Sequence, residues 1–155
     1  MRTIETNTLS LEYKEALRSI WNREYPVKLI MQTPQDMEDY LSALIEAKHY
    51  LLLNDVDMLA GWAATFTRDN ANWFAIIIHS AHQKQGLGGW LLELLKLNNN
   101  ILNGWVADHN NDRKYNGEIY NSPLPFYIKN GFTVISDTRL ELDKLSAVKI
   151  QWTRP

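Results

Sequence analysis

The pattern of apolar and polar residues predicts two helices near the start of the chain. Apolar side chains recur there every three to four positions, the spacing of a helix that buries one face. The first helix begins after the capping residue Ser10 and ends before Pro26. The second begins at Thr33 and Pro34, a capping hydroxyl followed by proline at the first helical position. A short strand near Ile4 precedes both. The expected buried stripes are Tyr13, Leu17, Ile20 and Trp21, then Met37, Tyr40, Leu41, Leu44 and Ile45.

Short apolar runs separated by turn residues predict a meander of three strands in the middle of the chain. Polar turns at residues 54–57 and 68–70 separate the runs, and connections of that length make the strands antiparallel. Gly61 indicates a bulge or a close backbone approach within the second strand. The predicted strands cover residues 50–53, 59–66 and 73–78.

The last of these strands leads into the stretch that organises the chain. Residues 73–78 are continuously apolar, which is typical of a strand covered on both faces. Residues 87–97 carry leucines at helical spacing, and three glycines lie in the turn over residues 83–89. Glycines let a ligand approach the backbone closely, and the free N–H groups at the start of a helix favour a phosphate. The stretch therefore predicts a diphosphate-binding turn.

The second half of the chain predicts a crossover unit and a closing pair of strands. A strand over residues 102–108 follows the leucine-rich helix, and a strand–helix–strand unit makes it parallel to residues 73–78. A long polar segment, residues 109–121, then precedes a short helix over residues 122–129. Residues 132–135 and 148–152 predict the last strands. The whole chain is interpreted as one mixed α+β domain, residues 1–155, around one central sheet.

The composition narrows the possible functions. Hydrophobic residues make up 45% of the 155 residues, charged residues make up 22%, and the net charge is −2, so no basic surface for nucleic acid or membranes is expected. The chain has no cysteine, which excludes disulfides, cysteine nucleophiles and thiolate zinc sites. The histidines His79 and His82 are too sparse for a metal site. Without an apolar leader or a bilayer-length run, a cytoplasmic location is expected.

Two motifs and the order of the elements resemble one known family. Gln83, Gly86 and Gly88 fit Gln/Arg-x-x-Gly-x-Gly/Ala, which resembles the acetyl-CoA-binding motif of the GNAT superfamily of N-acetyltransferases. Residues 127–132 resemble the family's Tyr-x-x-x-Gly-Phe stretch. The resemblance extends over roughly residues 3–153 and implies a GNAT-like acyl-CoA N-acyltransferase fold. In that fold, about four helices flank a mixed, mostly antiparallel sheet of six to seven strands.

The resemblance implies acetyl-CoA as a co-substrate, bound where the two parallel strands splay apart. It places pantetheine along the organising strand, the diphosphate on the glycine turn, and carbonyl polarisation on the backbone N–H of Ile78. An asparagine after the parallel strand would help to hold the cofactor. The alternative is that the glycines only allow tight packing. The cofactor-binding residues implied are Ile76, Ile77, Ile78, Gln83, Lys84, Gln85, Gly86, Leu87, Gly88, Gly89, Asn110 and Tyr127.

Three residues are candidates for proton transfer. Tyr127 matches the family tyrosine that protonates the departing thiolate, and the pKa of a phenol lies near that of a thiol. Its alternative role is that of a core aromatic. Asp108 and His109 follow the parallel strand and are candidate bases for the amine. The alternatives are a turn-capping aspartate, a solvated histidine, and deprotonation through water.

The sequence thus predicts an N-acetyltransferase that transfers an acetyl group from acetyl-CoA to a primary amine of a small molecule or peptide. Direct transfer in a ternary complex is expected, because no cysteine can carry the acyl group. The polar segment over residues 109–121 is expected to shape the acceptor pocket. The expected state is a monomer or homodimer, without metal. Two alternatives are a non-catalytic acyl-CoA-binding or sensor protein on the same fold, and a nucleotide-binding module.

Overall fold

A computed structural model describes all residues, 1–155, and shows seven strands in one sheet with four α-helices packed on its faces. The strands are β1 (Arg2–Thr6), β2 (Ile45–Leu53), β3 (Leu59–Arg68), β4 (Ala71–Ile78), β5 (Ile101–Val106), β6 (Thr133–Leu142) and β7 (Leu145–Thr153). The helices are α1 (Leu11–Glu24), α2 (Pro34–Ser42), α3 (Leu87–Leu97) and α4 (Leu124–Lys129). None of the helices is both long and apolar enough to cross a membrane. The predicted mixed α+β fold class is confirmed.

The order of the strands across the sheet is β1-β2-β3-β4-β5-β7-β6. The strands β2, β3 and β4 form the predicted antiparallel meander, and β1 adds to it by pairing antiparallel with β2. Only β4 and β5 are parallel, and a single pair of residues, Trp73 and Asn103, joins them. The buried side chain of Asn103 strengthens that junction, because its Nδ2 donates to the Asn72 carbonyl at 2.9 Å and its Oδ1 accepts from Gln151 Nε2 at 2.9 Å.

Local capping residues fix the starts of the first two helices. The Ser10 hydroxyl accepts a hydrogen bond from the Tyr13 N–H, as expected for an N-cap. Thr33 and Asp36 form a reciprocal capping box in front of α2. The expected stripe of α2 is wrong at its end, since the helix stops at Ser42 and Ile45 is 61% exposed at the start of β2. Pairing with β3 takes over there, opposite Thr67.

Two apolar cores lie on opposite faces of the sheet. Helices α1 and α2 cover one face, where Leu17 and Met37 pack against Trp62 and Trp73. Helices α3 and α4 cover the other face around Phe74. Because neighbouring residues of a strand point to opposite faces, β4 contributes to both cores and lies in the middle of the sheet.

Close backbone packing explains the two glycines in the central strands. A Cβ on Gly61 would lie 2.8 Å from Ile78 Cδ1, and one on Gly104 would lie 2.7 Å from Phe74 Cε1. The expected close approach at Gly61 is therefore confirmed. The closing strands are longer than the sequence predicted, because β6 and β7 pair from Thr133 to Leu142 across an irregularity.

Candidate active site

The parallel strands β4 and β5 separate beyond their single junction and leave a cleft. His79 N–H donates to the Ala60 carbonyl at 2.8 Å, and Ile77 lies opposite Trp62. Backbone groups of successive residues in a strand alternate in direction. The N–H and C=O groups of Ile76 and Ile78 consequently point away from β3, into the cleft.

Two side chains reach the exposed edge of β4. Tyr25 Oη donates to the Ile76 carbonyl at 3.3 Å, and Gln83 Nε2 donates to the Ile78 carbonyl at 2.9 Å. The carbonyls at the cleft are therefore partly satisfied, and no acceptor on β5 pairs with the Ile78 N–H. An extended ligand can pair with this edge as an added strand would.

The glycine turn presents free backbone donors at the start of α3. Gly86 is the N-cap, has a φ of +77°, and gives the helix no side-chain cap. The N–H groups of Leu87, Gly88 and Gly89 therefore meet no capping side chain, and the first turn has no acidic residue. Such a terminus carries partial positive charge and suits an anion. Lys84 also has a left-handed φ of +62°, so the turn is tight on both sides of Gln85.

The glycines of the turn have different reasons to lack a side chain. A Cβ on Gly86 would meet nothing within 4 Å, so its left-handed backbone is the constraint. A Cβ on Gly88 would lie 3.1 Å from Phe126 Cζ, and one on Gly89 would lie 3.7 Å from Asn130 Oδ1. The packing alternative thus applies to Gly88, which lets α4 approach α3.

The cleft and the turn open into one cavity of about 720 Å³. Its wall is formed by the glycine turn, by Ile76 and Ile78, by the C-terminus of α1 and by the segment 109–121. Tyr127 and Ile77 also contribute to its lining. A volume of this size suits a small organic ligand.

Two aromatic rings, those of Phe74 and Phe132, pack against the Tyr127 ring. Tyr127 is 7% exposed, and its ring meets Phe74 and Phe132 edge-on at centroid distances of 5.7 Å and 5.4 Å. Burial raises the pKa of the Tyr127 phenol far above its usual range, with a further contribution from Tyr120. Burial likewise raises the pKa of Tyr120 to about 12. Tyr127 is therefore protonated at neutral pH and can give up a proton but cannot act as a base. Tyr127 is thus an aromatic residue of the core and also a phenol on the wall of the cavity.

Asp108 and His109 follow β5 as expected, but they line a second cavity of about 480 Å³. Arg139 donates to both carboxylate oxygens of Asp108, at 2.8 Å and 3.0 Å, and this pairing lowers the pKa of Asp108. His109 Nε2 lies 3.2 Å from the Ser146 carbonyl. The structure does not bring either residue together with Tyr127 in the main cavity.

Asn110 also has a structural partner. Its Oδ1 accepts from the Ser122 N–H at 2.7 Å, and the Ser122 hydroxyl donates to the Ala107 carbonyl. These bonds hold the chain that leads into α4 against the end of β5. Asn110 is exposed and lies outside the lining of the main cavity, whereas Asn121, at the end of the same segment, lines it.

The sequence analysis missed an acidic residue on the cavity wall. Glu24 is 4% exposed at the end of α1 and lines the main cavity. Its Oε2 accepts from the Ser80 N–H at 2.8 Å, and its Oε1 accepts from Lys114 Nζ at 3.3 Å. A signal existed, because Glu24 follows Leu17 and Trp21 on the apolar stripe, where a charged residue is out of place. Lys114 had no such signal within the polar segment.

Residues 112–120 form a small hairpin that brings Lys114 to Glu24 on the cavity wall. Arg113 and Ile119 form an antiparallel bridge, and the Lys114 N–H donates to the Glu118 carbonyl at 2.8 Å. The Val27 N–H donates to the Arg113 carbonyl at 2.7 Å and ties the hairpin to the segment after α1. The long polar segment is therefore ordered, and Lys114 projects from it to the cavity.

Metal ligands do not cluster in this structure. No three side chains of His, Asp or Glu lie close enough together to hold a metal ion. The rings of His79 and His82 are 6.1 Å apart, and the Nδ1 atom of His79 accepts from the Ala81 N–H. Burial lowers the pKa of His79.

Comparison with known proteins places this fold in one family. The profile of the acetyltransferase (GNAT) domain matches residues 46–134, more than half of the chain. No curated protein matches the sequence. The chain belongs to the GNAT acetyltransferase family, which confirms the predicted family and, with it, an acyltransferase enzyme.

Solved structures of the same fold share little sequence with this chain. An aminoglycoside 6'-N-acetyltransferase from Enterococcus faecium has a TM-score of 0.70 at 13% identity, covering 100% of this chain and 99% of that one. A spermidine N-acetyltransferase variant from Vibrio cholerae has 0.66 at 13%, covering 99% and 95%. AAC(6')-Ib, in complex with ribostamycin and coenzyme A, has 0.66 at 14%, covering 99% and 94%. These likenesses describe the fold.

Proposed function

We propose that this chain, as one domain over residues 1–155, transfers an acetyl group from acetyl-CoA to a primary amine of a small molecule or peptide. The observation that carries the proposal is the exposed edge of β4, which runs directly into a helix terminus with free N–H groups. A pantetheine arm needs backbone partners along its length, and a diphosphate needs several converging donors. The cavity wall offers backbone partners for the arm and converging donors for the diphosphate.

The residues present fit acetyl-CoA. Ile76 and Ile78 would pair with the arm, while the N–H groups of Leu87 and Gly88 would receive the diphosphate. Lys84 and Lys129 also line the cavity and add positive charge. When bound, acetyl-CoA supplies an activated acetyl thioester.

Direct transfer forms a bond between the amine nitrogen and the carbonyl carbon and breaks the bond between that carbon and sulfur. The Ile78 N–H is proposed to polarise the carbonyl oxygen, and Tyr127 is proposed to give its proton to the departing thiolate. Burial raises the pKa of Tyr127 far above that of a thiol, so the expected match between the two pKa values does not hold here, and the proton transfer depends on the negative charge that develops on the departing sulfur. The fold is similar to that of AAC(6')-Ib, whose solved structure contains coenzyme A, and this likeness is consistent with the proposed use of the cleft.

The amine must lose a proton before or during attack. Asp108 and His109 stay candidate acceptors, but both face the second cavity, and Arg139 makes Asp108 a weaker base. Transfer of this proton through water in the main cavity is therefore the route that we propose. A loss of about 100-fold in kcat for Asp108→Asn or His109→Gln, with acetyl-CoA binding retained, would instead assign the role to that side chain.

Calorimetric titration with acetyl-CoA, CoA and ATP tests the proposal. Saturable binding of acetyl-CoA and CoA, without binding of ATP, is expected because only the first two carry a pantetheine arm. Binding of ATP alone would favour the nucleotide module. An amine panel that includes spermidine and ribostamycin then tests transfer, since acceptors of both kinds are named for proteins of this fold.

Tyr127→Phe separates an enzyme from a sensor. We expect kcat to fall by about 10- to 100-fold, with an unchanged Kd for acetyl-CoA, because only the donated proton is lost. Tyr13→Phe is the matched control, since Tyr13 lies half-buried on α1 and outside the cavity. Acetyl-CoA binding with no turnover of any amine would support the sensor and refute the enzyme.

A further inference from the structure

The wall of the main cavity carries one acid and three lysines. Among the 21 residues that line it, Glu24 is the only acid. Lys84 belongs to the glycine turn and Lys129 ends α4, whose Phe126 packs against Gly88 of that turn, where an anion is expected. Glu24 lies beside Tyr25 and is bonded to Ser80, just after β4, and to Lys114 of the hairpin over residues 112–120. The cavity wall thus combines donors suited to a phosphate with a single carboxylate.

One oxygen of the Glu24 carboxylate is held by the backbone, and the other oxygen can bind a cation. The Oε2 atom of Glu24 is fixed by the Ser80 N–H at 2.8 Å, while Arg23 Nε is more distant, at 3.8 Å. Its Oε1 has one partner, Lys114 Nζ, at the long distance of 3.3 Å. A buried carboxylate needs a positive partner, because burial without one is costly. The site therefore binds a primary ammonium group at Oε1 already, namely that of the chain's own lysine.

Lys114 can leave this position. Its side chain is 19% exposed, whereas that of Glu24 is 3% exposed, so the lysine has access to solvent and the carboxylate has very little. Lysine has a flexible four-carbon stem and a strongly hydrated ammonium, which can exchange a protein partner for water. A second ammonium that reached Glu24 would repel Lys114, since one carboxylate neutralises one unit charge.

From this arrangement we propose that Glu24 binds the protonated acceptor amine and that Lys114 occupies the same position until the amine displaces it. The inference rests on the proposed acetyl transfer and names the acceptor class, an alkylammonium ion. Tyr25, Ile119 and Tyr120 line the cavity beside Glu24 and supply the walls for the alkyl part. Glu24 is a positioning residue in this scheme, and the proton of the amine passes to water.

Equilibrium binding of n-butylammonium chloride, followed by NMR titration of the isotope-labelled protein, tests the inference without any turnover. Wild type is expected to bind saturably, with shifts near Glu24. Glu24→Gln keeps the shape and an acceptor for Ser80 but removes the charge, so Kd should rise about 10-fold. Lys114→Met removes the competitor, so Kd should fall severalfold. In the double variant the effect of Lys114→Met should vanish, because Lys114 acts only through Glu24.

Matched controls use an ion pair outside the cavity. Glu38 and Lys14 are joined at 2.7 Å on α2 and α1, so Glu38→Gln and Lys14→Met repeat both chemical changes there and should leave Kd unchanged. Absence of saturable binding to wild type, or an equal Kd in wild type and Glu24→Gln, overturns the inference. An unchanged Kd for acetyl-CoA shows that each variant is folded.

Kinetics give an independent readout. For the best acceptor of the amine panel, Glu24→Gln should raise KM about 10-fold and leave kcat within about 3-fold, because it removes ground-state binding. A fall in kcat at constant KM overturns the positioning role. The proposed function fails on a different result, a lack of acetyl-CoA binding in calorimetry, so the two failures are distinguishable.

Discussion

Gly86→Ala tests whether the glycine turn needs a left-handed backbone. Gly86 is the N-cap of α3, with a φ of +77° and a ψ of 6°. A methyl group there would meet nothing within 4 Å, so the substitution adds no clash. Any cost of this change must come from the backbone conformation alone.

The expected cost is about 1 kcal/mol, the penalty for an L-residue in the left-handed region. If the turn keeps its shape, the free energy of unfolding falls by that amount, and Tm falls by roughly 2–4 °C in a protein of this size. If the turn relaxes instead, acetyl-CoA has to restore it, and Kd rises about 5-fold. Urea unfolding followed by tryptophan fluorescence measures the first quantity, and calorimetry measures the second.

Gly86→Asn is the control, because asparagine tolerates the left-handed region better than alanine does. It should lose less than half of what Gly86→Ala loses in the same two assays. The reasoning is refuted if Gly86→Ala changes neither the free energy of unfolding nor Kd. Equal losses in the two variants would refute it as well.

Two further predictions concern stability. Gly104→Ala should lower the free energy of unfolding by about 1–3 kcal/mol in urea titrations, because its Cβ would lie 2.7 Å from Phe74 Cε1; a loss below about 0.5 kcal/mol would contradict this packing. Burial lowers the pKa of His49, whose Nδ1 accepts a hydrogen bond from Trp62 Nε1 at 3.0 Å. The neutral imidazole therefore stabilises the fold above the pKa of the unfolded state, and this stability is lost as pH falls below about 6.5. His49→Asn, which keeps an acceptor, should flatten that loss in melts at pH 5 to 8, with a remainder from His79; an unchanged slope would contradict the assignment.

The sequence predicted those features that depend on neighbours along the chain. Ser10 and Thr33 mark their helix starts because capping is decided within a few residues. Gly131 ends α4 with a φ of +90°, as expected for a left-handed cap. The glycine turn was predicted for the same reason, since its backbone conformation and its helix follow each other directly.

Features that depend on distant pairing were not predictable in this way. Ile45 fits a helical stripe and a strand equally well, and only β3 decides between them. The insertion of β7 between β5 and β6 depends on which edge the final hairpin meets. Glu24 and Lys114 are 90 positions apart, so no local pattern could join them. The part of the cavity wall formed by Glu24 and Lys114 was missed for that reason, whereas the part formed by the glycine turn follows from neighbouring residues.

The single junction between β4 and β5 has a consequence for amide hydrogen exchange. Beyond that junction, the amides of Ile76 and Ile78 have no neighbouring strand, whereas Ile77 is paired with β3. Deuterium uptake along the end of β4 should therefore alternate between fast and slow at successive residues, although all of them belong to one strand in the middle of the sheet. A molecule that pairs with β4 in the cleft would slow deuterium uptake at Ile76 and Ile78 but not at Ile77. Uptake at these residues would therefore report whether the cleft is occupied.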